Sequence, residues 1–390
     1  MPRFLPFAGL RYALDRVSLA DVIAPPYDVI GPTEQAALEQ RSPFNAIHVE
    51  LARADGDPYQ AAAQRLAEWI DAGILRFDPE SLYAYEMRGT DDFGIARHSR
   101  GVLGALAIAE GGVLPHEQTT PKAKSDRLDL LRATGTNISP IWVLTPSPIT
   151  DALADLGAPD GEATDDEGIE HRVWVLPADR AEHITKLLAA EPVLVADGHH
   201  RYEVSKKYRD EQRAANNDAA GPYDFVFALA TELVEDELTV EGIHRLISGA
   251  PVANVIDVLT RHFTLTETGA IDATIGQRML DAGALAVTAG DRVWLAAPTT
   301  QTTAAATMDL DSSRLDVALA DLPEATVVYQ HGWHECAEAV ATSQAMVAVL
   351  LRPATVAQIA EVGHGGERMP PKTTFFWPKP RTGIVYRRLA

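Results

Sequence analysis

The chain of 390 residues contains one cysteine, Cys336, so neither a disulfide nor a cysteine-based metal site can form within it. It is also poor in positive charge, because 34 Lys and Arg stand against 55 Asp and Glu, a net charge of −21. This balance argues against broad contact with nucleic acid or an anionic membrane, although a local basic pocket for one small anion is compatible with it. The cysteine usage favours a cytoplasmic setting.

Several longer signals are absent as well. The sequence has no run of 18 apolar residues, so we expect no membrane span, and the first 16 residues lack the apolar segment of a signal peptide. It contains no Walker A motif, no Gly-x-Gly-x-x-Gly, no Gly-x-Ser-x-Gly and no HExxH. P-loop and Rossmann phosphate sites, the usual α/β-hydrolase site and a zincin site are therefore excluded.

The remaining composition is that of a globular protein, with 46% hydrophobic residues and a length suited to one large or two to three ordinary domains. Predicted strands and helices alternate, which is typical of a mixed α/β (α+β) protein. We predict a core at 1–250 with an inserted acidic loop near 145–171, followed by an α+β region at 251–390. Residues 45–51 alternate in polarity and predict a strand, whereas 59–72 predict an amphipathic helix.

The densest stretch, VLVADGHHRYE, predicts a short buried strand, a break at Asp197 and Gly198, and a helix from Arg201. The start of a helix combines outward-facing N–H groups with the positive end of the helix dipole, which suits an anion and most simply a phosphate. Asp197 ends the strand, where α/β proteins commonly bind ligands. The candidate phosphate-binding residues are Gly198, His199, His200 and Arg201. A capped surface helix with solvated side chains is the alternative.

A second polar stretch, HEQTTPKAKSDR, begins at His116. His116 and Glu117 precede a predicted helix on a proline-flanked segment, and such fixed placement is what a general base or a metal ligand needs. Lys122, Asp126 and Arg127 are candidates for holding the charged ends of a substrate or nucleotide phosphates. A polar loop with local helix caps remains the alternative.

Two further pairs are candidate substrate contacts. In APPYDVI, the two prolines force an extended or turn backbone that holds Tyr27 and Asp28 in a defined direction. A surface turn explains the same pattern. His244 and Arg245 end an apolar segment, and the alternative there is a strand-end pair that faces solvent or makes an ordinary ion pair.

The stretch 368–383, RMPPKTTFFWPKPRTG, is rich in turns, basic and aromatic. Its aromatic residues predict that this tail packs back onto the core, or that they wall a pocket with Lys372 at its mouth.

The Asp-Gly-His-His-Arg run resembles the signature turn of the ParB/sulfiredoxin-like superfamily, which binds nucleotide phosphates. Gly198, His200 and Arg201 match the Gly, His and Arg of the sulfiredoxin form. His199 stands where sulfiredoxin has its nucleophilic cysteine, so sulfinic-acid reduction is not expected. The run looks instead like that of the free-serine kinases of this superfamily.

Over the whole chain the sequence is identified as a member of the domain-of-unknown-function family 1015. The segments that carry this resemblance are APPYDVI (24–30), HEQTTPKAKSDRLDLLRATGTNISPIW (116–142), ADGHHRYE (196–203), VEGIHRLI (240–247) and RMPPKTTFFWPKPRTG (368–383). The resemblance implies a ParB/sulfiredoxin-like nucleotide-binding core and an ATP-dependent kinase that converts free L-serine to O-phospho-L-serine.

For such a kinase we expect ATP or ADP as phosphoryl donor together with Mg²⁺. Asp197 is a candidate base or Mg²⁺ ligand, and Glu117, with His116 beside it, is the other candidate base. Lys372 adds a candidate phosphate contact. A ParB-like nucleotide switch and a non-catalytic phosphometabolite-binding protein are the alternatives. We expect no nucleic-acid partner, and homo-oligomerisation is left open.

Overall fold

The chain folds as two units in the computed structural model, which describes residues 2–91, 93–108, 112–115, 124–365 and 368–389. Unit 1 consists of Met1–Gly89, His98–Leu238 and Pro378–Ala390, and unit 2 of Thr90–Arg97 and Thr239–Trp377. The mixed α/β class expected from the sequence is confirmed, since both units combine helices with sheets. By this division residues 239–250, assigned to the core from the sequence, belong to unit 2, and residues 378–390 belong to unit 1.

The helices, in chain order, are α1 (Leu19–Val22), α2 (Pro32–Arg41), α3 (Ile47–Glu50), α4 (Pro58–Asp71), α5 (Lys124–Thr134), α6 (Ala178–Leu188), α7 (His199–Ala215), α8 (Val252–His262), α9 (Ile275–Ala282), α10 (Thr300–Ala305), α11 (Asp311–Leu319), α12 (Trp333–Ala341) and α13 (Val356–Gly365). The strands are β1 (Phe4–Leu5), β2 (Phe7–Tyr12), β3 (Leu75–Ser81), β4 (Tyr83–Thr90), β5 (Ala96–Ala107), β6 (Val113–Pro115), β7 (Thr136–Asn137), β8 (Ile141–Thr145), β9 (Gly161–Thr164), β10 (Glu170–Val175), β11 (Val193–Asp197), β12 (Phe225–Glu232), β13 (Thr239–Gly242), β14 (His244–Ser248), β15 (Phe263–Thr268), β16 (Leu285–Ala289), β17 (Arg292–Pro298), β18 (Thr326–Gln330), β19 (Val347–Leu350), β20 (Thr374–Trp377) and β21 (Tyr386–Arg388). No helix within these described ranges is both long and apolar enough to cross a membrane.

The strand predicted before the Asp197–Gly198 turn is β11, in the larger sheet of unit 1. That sheet has the order β6-β11-β8-β12-β5-β4-β10-β9, with β1 paired to β5. β11 runs parallel to β6 and antiparallel to β8. Its Val193 and Val195 are almost fully buried and join a core that also contains apolar residues of α6. Burial on this scale fixes the strand and so fixes the turn that follows it.

A second sheet of unit 1 ties the C-terminal strand to the start of the chain. Its order is β3-β2-β21-β7, and the Tyr12 and Tyr386 hydroxyls lie 3.0 Å apart within it. Ahead of β21, Thr382 forms an isolated antiparallel bridge with Ala24. The end of the 378–383 segment is therefore held by the bridge at Thr382, and the chain after it by β21.

The strand predicted at 45–51 is wrong, because Ile47–Glu50 form the short helix α3 and no residue of 45–51 is in a strand. The Asn45 side chain donates to the carbonyls of Asp21 and Ile23, at 2.8 and 3.0 Å, and accepts from the Ile47 N–H at 2.9 Å. Such local bonds favour a helix start over a strand. Ile47 and Val49 are fully buried. The alternating apolar residues that suggested a strand are therefore explained by packing of the helix into the core.

Unit 2 is built on a six-stranded sheet of order β15-β17-β16-β19-β14-β18, with β13 and β20 paired separately. Alternate residues of the central strands face opposite sides, as the two-residue period of a strand requires. Val287 and Val349 pack with α8 and α11, whereas Ala286 and Ala348 pack with α9 and α12. The sheet is therefore covered on both faces by helices.

Candidate functional site

The site begins at Gly198, which has the left-handed φ of 86° and caps the N-terminus of α7. A Cβ at this position would lie 3.1 Å from the Ile141 Cα, so both the backbone conformation and the available space require glycine. α7 starts at His199, two residues earlier than the sequence indicated. His199, His200 and Arg201 thus occupy its first turn, where N–H groups point out of a helix.

Asp197 accepts hydrogen bonds from two cations. Arg201 Nη2 lies 2.6 Å from Oδ2, and Lys379 Nζ lies 2.6 Å from Oδ1. All three side chains are mostly buried, with exposed fractions of 19% for Asp197, 15% for Arg201 and 9% for Lys379. Burial alone would raise the pKa of Asp197, but Lys379 and Arg201 outweigh it and hold that pKa well below its usual range.

This Asp197 cluster (Asp197, Arg201 and Lys379) carries more positive than negative charge, since one carboxylate faces two cations. Arg201 is fixed further by a hydrogen bond to the Pro140 carbonyl, directly before β8. Buried cations that are already oriented lose little side-chain entropy when an anion binds. Together with the helix start beside it, the cluster can hold a phosphate group.

A second polar network adjoins the cluster around the buried Glu50, which is 2% exposed. Arg127 Nη1 lies 2.9 Å from the Glu50 carbonyl and 3.3 Å from its Oε1. Ser139 donates to Glu50 Oε2 at 2.9 Å and lies 3.0 Å from the Thr382 hydroxyl. Burial raises the pKa of Glu50, and the charge of Arg127 opposes that rise only in part. A cavity of about 50 Å³ is lined by residues that include Glu50, Arg127, Ser139 and Arg201.

The predicted substrate contacts in this part of unit 1 lie together. The Arg127 guanidinium stacks 4.4 Å from the centre of the Tyr27 ring. Burial raises the pKa of Tyr27, the positive charge of Arg201 opposes the rise, and the exposed Asp28 contributes to it. Asp126 accepts from the Tyr59 hydroxyl at 2.9 Å and pairs with Arg127 at 2.6 Å.

Three other predicted site residues belong to unit 2. His244 is buried, its Nδ1 accepts from the Leu351 N–H at 3.1 Å, and burial lowers its pKa to about 3. Arg245 is also buried and stacks 4.4 Å from the centre of the Tyr329 ring. Both side chains are inward-facing, contrary to the solvent-facing alternative. Lys372 is exposed and lies in a turn with φ of 58°.

His116, Glu117 and Lys122 lie outside the described residues. Their proposed roles therefore stay predictions from the sequence.

Sequence reasoning missed Lys379 and Glu50. Lys379 is part of the motif at 368–383, where only Lys372 was named as a candidate from the sequence. The signal that was available is its position between two prolines, which restricts the backbone on both sides. Glu50 was missed because residues 45–51 were predicted to form a strand.

Arg381 is a further missed residue, and it fastens the same tail to the acidic loop. Its Nε lies 2.7 Å from Asp165 Oδ2, and its Nη2 lies 2.7 Å from Glu167 Oε1. Asp165 also pairs with the fully buried His171 at 2.8 Å. Burial would raise the pKa of Asp165, yet His171 and Arg381 hold it far below its usual range. The acidic loop thus anchors the segment that carries Lys379.

The described residues contain no group of three or more His, Cys, Asp or Glu side chains suited to a metal ion. Asp197, the predicted Mg²⁺ ligand, already has a cation on each carboxylate oxygen.

Fold and site together describe a mixed α/β protein whose unit 1 contains a buried cluster of one carboxylate and two cations. The family model described as "Protein of unknown function (DUF1015)" matches residues 4–318, and the chain belongs to this family. This membership confirms the family resemblance drawn from the sequence.

No curated protein matches the chain. Among solved structures, it is similar to a free serine kinase in complex with AMP, at 13% identity and a TM-score of 0.37, over 71% of this chain and 86% of that one. A free serine kinase variant in complex with ADP matches at 15% identity and a TM-score of 0.38, over 71% and 87%. A conserved hypothetical protein from Pyrococcus furiosus matches at 15% identity and a TM-score of 0.38, over 73% and 93%. At these TM-scores the likenesses assign neither a function nor a residue to this chain.

Proposed function

We propose that unit 1 binds the phosphates of a nucleotide at the Asp197 cluster and transfers a phosphoryl group to the hydroxyl of a small metabolite, with free L-serine as the first candidate. The observation that carries the proposal is the excess of positive charge at Arg201 and Lys379, both 2.6 Å from Asp197 and beside the start of α7. The choice of serine rests on the sequence resemblance described above.

Phosphoryl transfer depends mainly on positioning and on stabilisation of charge. In this proposal Arg201 and Lys379 neutralise the phosphate oxygens, and Gly198 allows the backbone to approach them closely. Asp197 acts as a positioning residue, because both of its oxygens accept from cations and its low pKa makes it a weak base. Arg127 and Asp126 are the candidates for binding the charged ends of the amino acid.

Two carboxylates are candidates for the base that takes the hydroxyl proton. Glu117, with His116 beside it, is the candidate from the sequence. Glu50 is the candidate from the geometry, because burial raises its pKa toward the range in which a general base is efficient and because it lines the same cavity as Arg201.

The test is to incubate the purified protein with L-serine, Mg²⁺ and either ATP or ADP, and to detect O-phosphoserine by phosphorus NMR and mass spectrometry. We expect product with at least one donor. Glu50→Gln and Glu117→Gln, assayed separately, should identify the base, since its loss lowers kcat far more than it weakens nucleotide binding. Absence of product with every nucleoside di- and triphosphate would contradict the kinase proposal.

A second candidate is a protein that binds a phosphorylated metabolite, or a nucleotide, without turnover. The observation in its favour is that Asp197, the carboxylate nearest the helix start in sequence, is committed to two ion pairs. Calorimetric binding of ATP, ADP or O-phosphoserine without product formation would support this candidate, whereas serine-dependent loss of ATP or ADP would reject it.

A further inference from the structure

Unit 2 contains a cavity of about 400 Å³ that the proposed kinase reaction does not use, and every residue lining it belongs to unit 2. Its walls are mainly apolar, with Phe93, Ile95, Met279 and Trp333 among them. Gly276 leaves room for the Phe93 ring, because a Cβ there would lie 2.8 Å from that ring. Volume and lining are those of a small-molecule pocket.

The cavity lies on the face of the six-stranded sheet to which His244 points. Side chains two residues apart on a strand share a face of the sheet, so His244 and Leu246 of β14 point the same way. Leu246 packs against a cluster that contains Ile275, Met279 and Trp333, and these three residues line the cavity. His244 lines it too and is only 8% exposed. Its imidazole is therefore a buried polar group in a mainly apolar wall.

The two ring nitrogens of His244 have different surroundings. Nδ1 accepts from the Leu351 N–H at 3.1 Å, so the proton of the neutral ring is on Nε2. Burial lowers the pKa of His244 to about 3, which keeps the ring neutral near pH 7. Nε2 has no hydrogen-bond partner among the described residues, and it is not one of the unpartnered polar atoms that are closed off from water. Since a buried donor without an acceptor is costly, the Nε2–H points to an acceptor that binds in the cavity.

The charged side chains that line the cavity are held in ion pairs within the described part of the chain. The pairs are Asp91 with Arg97, Arg352 with Asp311, and Glu241 with His331. An anionic ligand would therefore leave water without a compensating charge, because the wall is already balanced and His244 is neutral. An ammonium group would place a donor against the Nε2–H donor. The surroundings favour an uncharged acceptor.

We propose that this cavity is a second ligand site, for a neutral small molecule with an apolar body and a carbonyl oxygen, or another uncharged acceptor, that receives the His244 Nε2–H. The apolar walls bind the body, and His244 orients it. The proposal is independent of the phosphate site, because it concerns residues of unit 2 only.

Three probes of similar size test the proposal in the full chain. They are the ketone 4-phenyl-2-butanone, butylbenzene, in which a methylene replaces the carbonyl, and the anion 3-phenylpropionate. An NMR titration should show both neutral probes shifting the Trp333 and Phe93 signals, but only the ketone should strongly shift the His244 Nε2–H resonance. The acid should bind at least about 10-fold more weakly than the ketone.

His244→Asn removes the Nε2–H and keeps a side-chain oxygen near the position of Nδ1 for the Leu351 N–H. It should weaken the ketone by about 5- to 10-fold and change butylbenzene by about 2-fold or less, because only the ketone loses a hydrogen bond. Retained butylbenzene binding shows that the cavity is still folded. His262→Asn, at a histidine of unit 2 outside the cavity wall, is the matched control and should change neither affinity.

Leu280→Trp provides a second variant, at a position that lines the cavity yet is 57% exposed, so the fold should tolerate it. It should weaken both neutral probes by narrowing the cavity, whereas Val328→Trp, at a 53% exposed position away from the cavity, should weaken neither. If neither neutral probe binds, the cavity is not a ligand site and the proposal is wrong. A ketone affinity unchanged in His244→Asn, an equal loss of ketone and butylbenzene affinity in that variant, or an acid that binds as tightly as the ketone would also overturn it.

Discussion

The Asp197 cluster of unit 1 and the cavity of unit 2 differ in charge and in volume. In the cluster, one carboxylate is surrounded by two cations, and the adjoining cavity measures only about 50 Å³. In unit 2, a cavity of about 400 Å³ has mainly apolar walls, and the Glu241 carboxylate among its lining residues pairs with His331. The first region has an excess of fixed positive charge and little room, and the second has room and mainly apolar walls.

This difference indicates which class of ligand each region can bind. A charge-rich site with little space favours a compact anion whose oxygens match several donors at once. A large, mainly apolar site favours a ligand that is held by its apolar body. The variants below test whether the two regions differ in this way, beginning with the largest effect.

Asp197→Asn should destabilise unit 1 by about 3 kcal/mol, because it leaves the buried Arg201 and Lys379 without their carboxylate. Urea unfolding followed at a probe in unit 1 measures the loss. The matched control is Asp210→Asn on the same helix, whose carboxylate is 64% exposed and should cost about 0.5 kcal/mol or less. Equal effects at the two positions would show that the cluster is not an electrostatic anchor.

The stability of unit 2 should fall in mild acid because of His244. Burial, with the charges of His331 and Arg245, lowers the folded-state pKa of His244 to about 3 from its ordinary value of 6.5. The unfolded chain therefore takes up the proton first, and the contribution is complete above about pH 6.5 and lost progressively as the pH falls toward 3. We expect a loss of about 2 kcal/mol between about pH 7.5 and 5.

Hydrogen exchange in the β14 and β19 strands follows this change. His244→Gln, which keeps an acceptor for the Leu351 N–H, should remove most of the pH dependence, whereas the exposed His334→Gln should leave it in place. A pH dependence that survives in His244→Gln would assign the effect to other groups.

Lys379→Met should weaken nucleotide binding by about 10-fold, since it removes one of the two cations that face the proposed phosphate position. Calorimetry with ADP and ATP is the measurement. Lys186→Met, at a 71% exposed position of α6, makes the same charge change away from the cluster and should have little effect. If both variants bind nucleotide as the parent does, phosphates bind elsewhere.

Comparing Gly198→Ala with Gly135→Ala separates the stability cost of backbone strain from the stability cost of steric crowding. Both glycines have positive φ, 86° and 56°, but a Cβ at Gly135 meets no atom within 4 Å whereas one at Gly198 meets Ile141 at 3.1 Å. Each substitution should cost about 1 kcal/mol for its backbone conformation, and Gly198→Ala should cost about 1 kcal/mol more for the contact. Equal costs would mean that Ile141 yields to the methyl group.

Much of the Asp197 region could be predicted from its sequence, for a local reason. The apolar run before Asp197, the glycine and the helix formers after it lie within one short stretch, and strand, turn and helix are all local choices. The start of α7 was misplaced by two residues because the two histidines are weaker helix formers than the residues that follow. The family was also readable, because its motifs are contiguous in the chain.

The side chains that contact the Asp197 region from distant parts of the sequence were decided by the tertiary structure. Lys379 is 182 residues from Asp197, Thr382 is 243 residues from Ser139, and Glu50 is 77 residues from Arg127. The contact of Lys379 with Asp197 depends on the pairing of β21 and on the bridge at Ala24. The buried position of Glu50 depends on the packing of α3, whose sequence resembles that of a strand. The sequence alone determined the strand–glycine–helix turn at Gly198, because backbone conformation there is local. Charge balance around the turn is a sum over distant side chains, and only the folded chain brings those side chains within hydrogen-bonding distance.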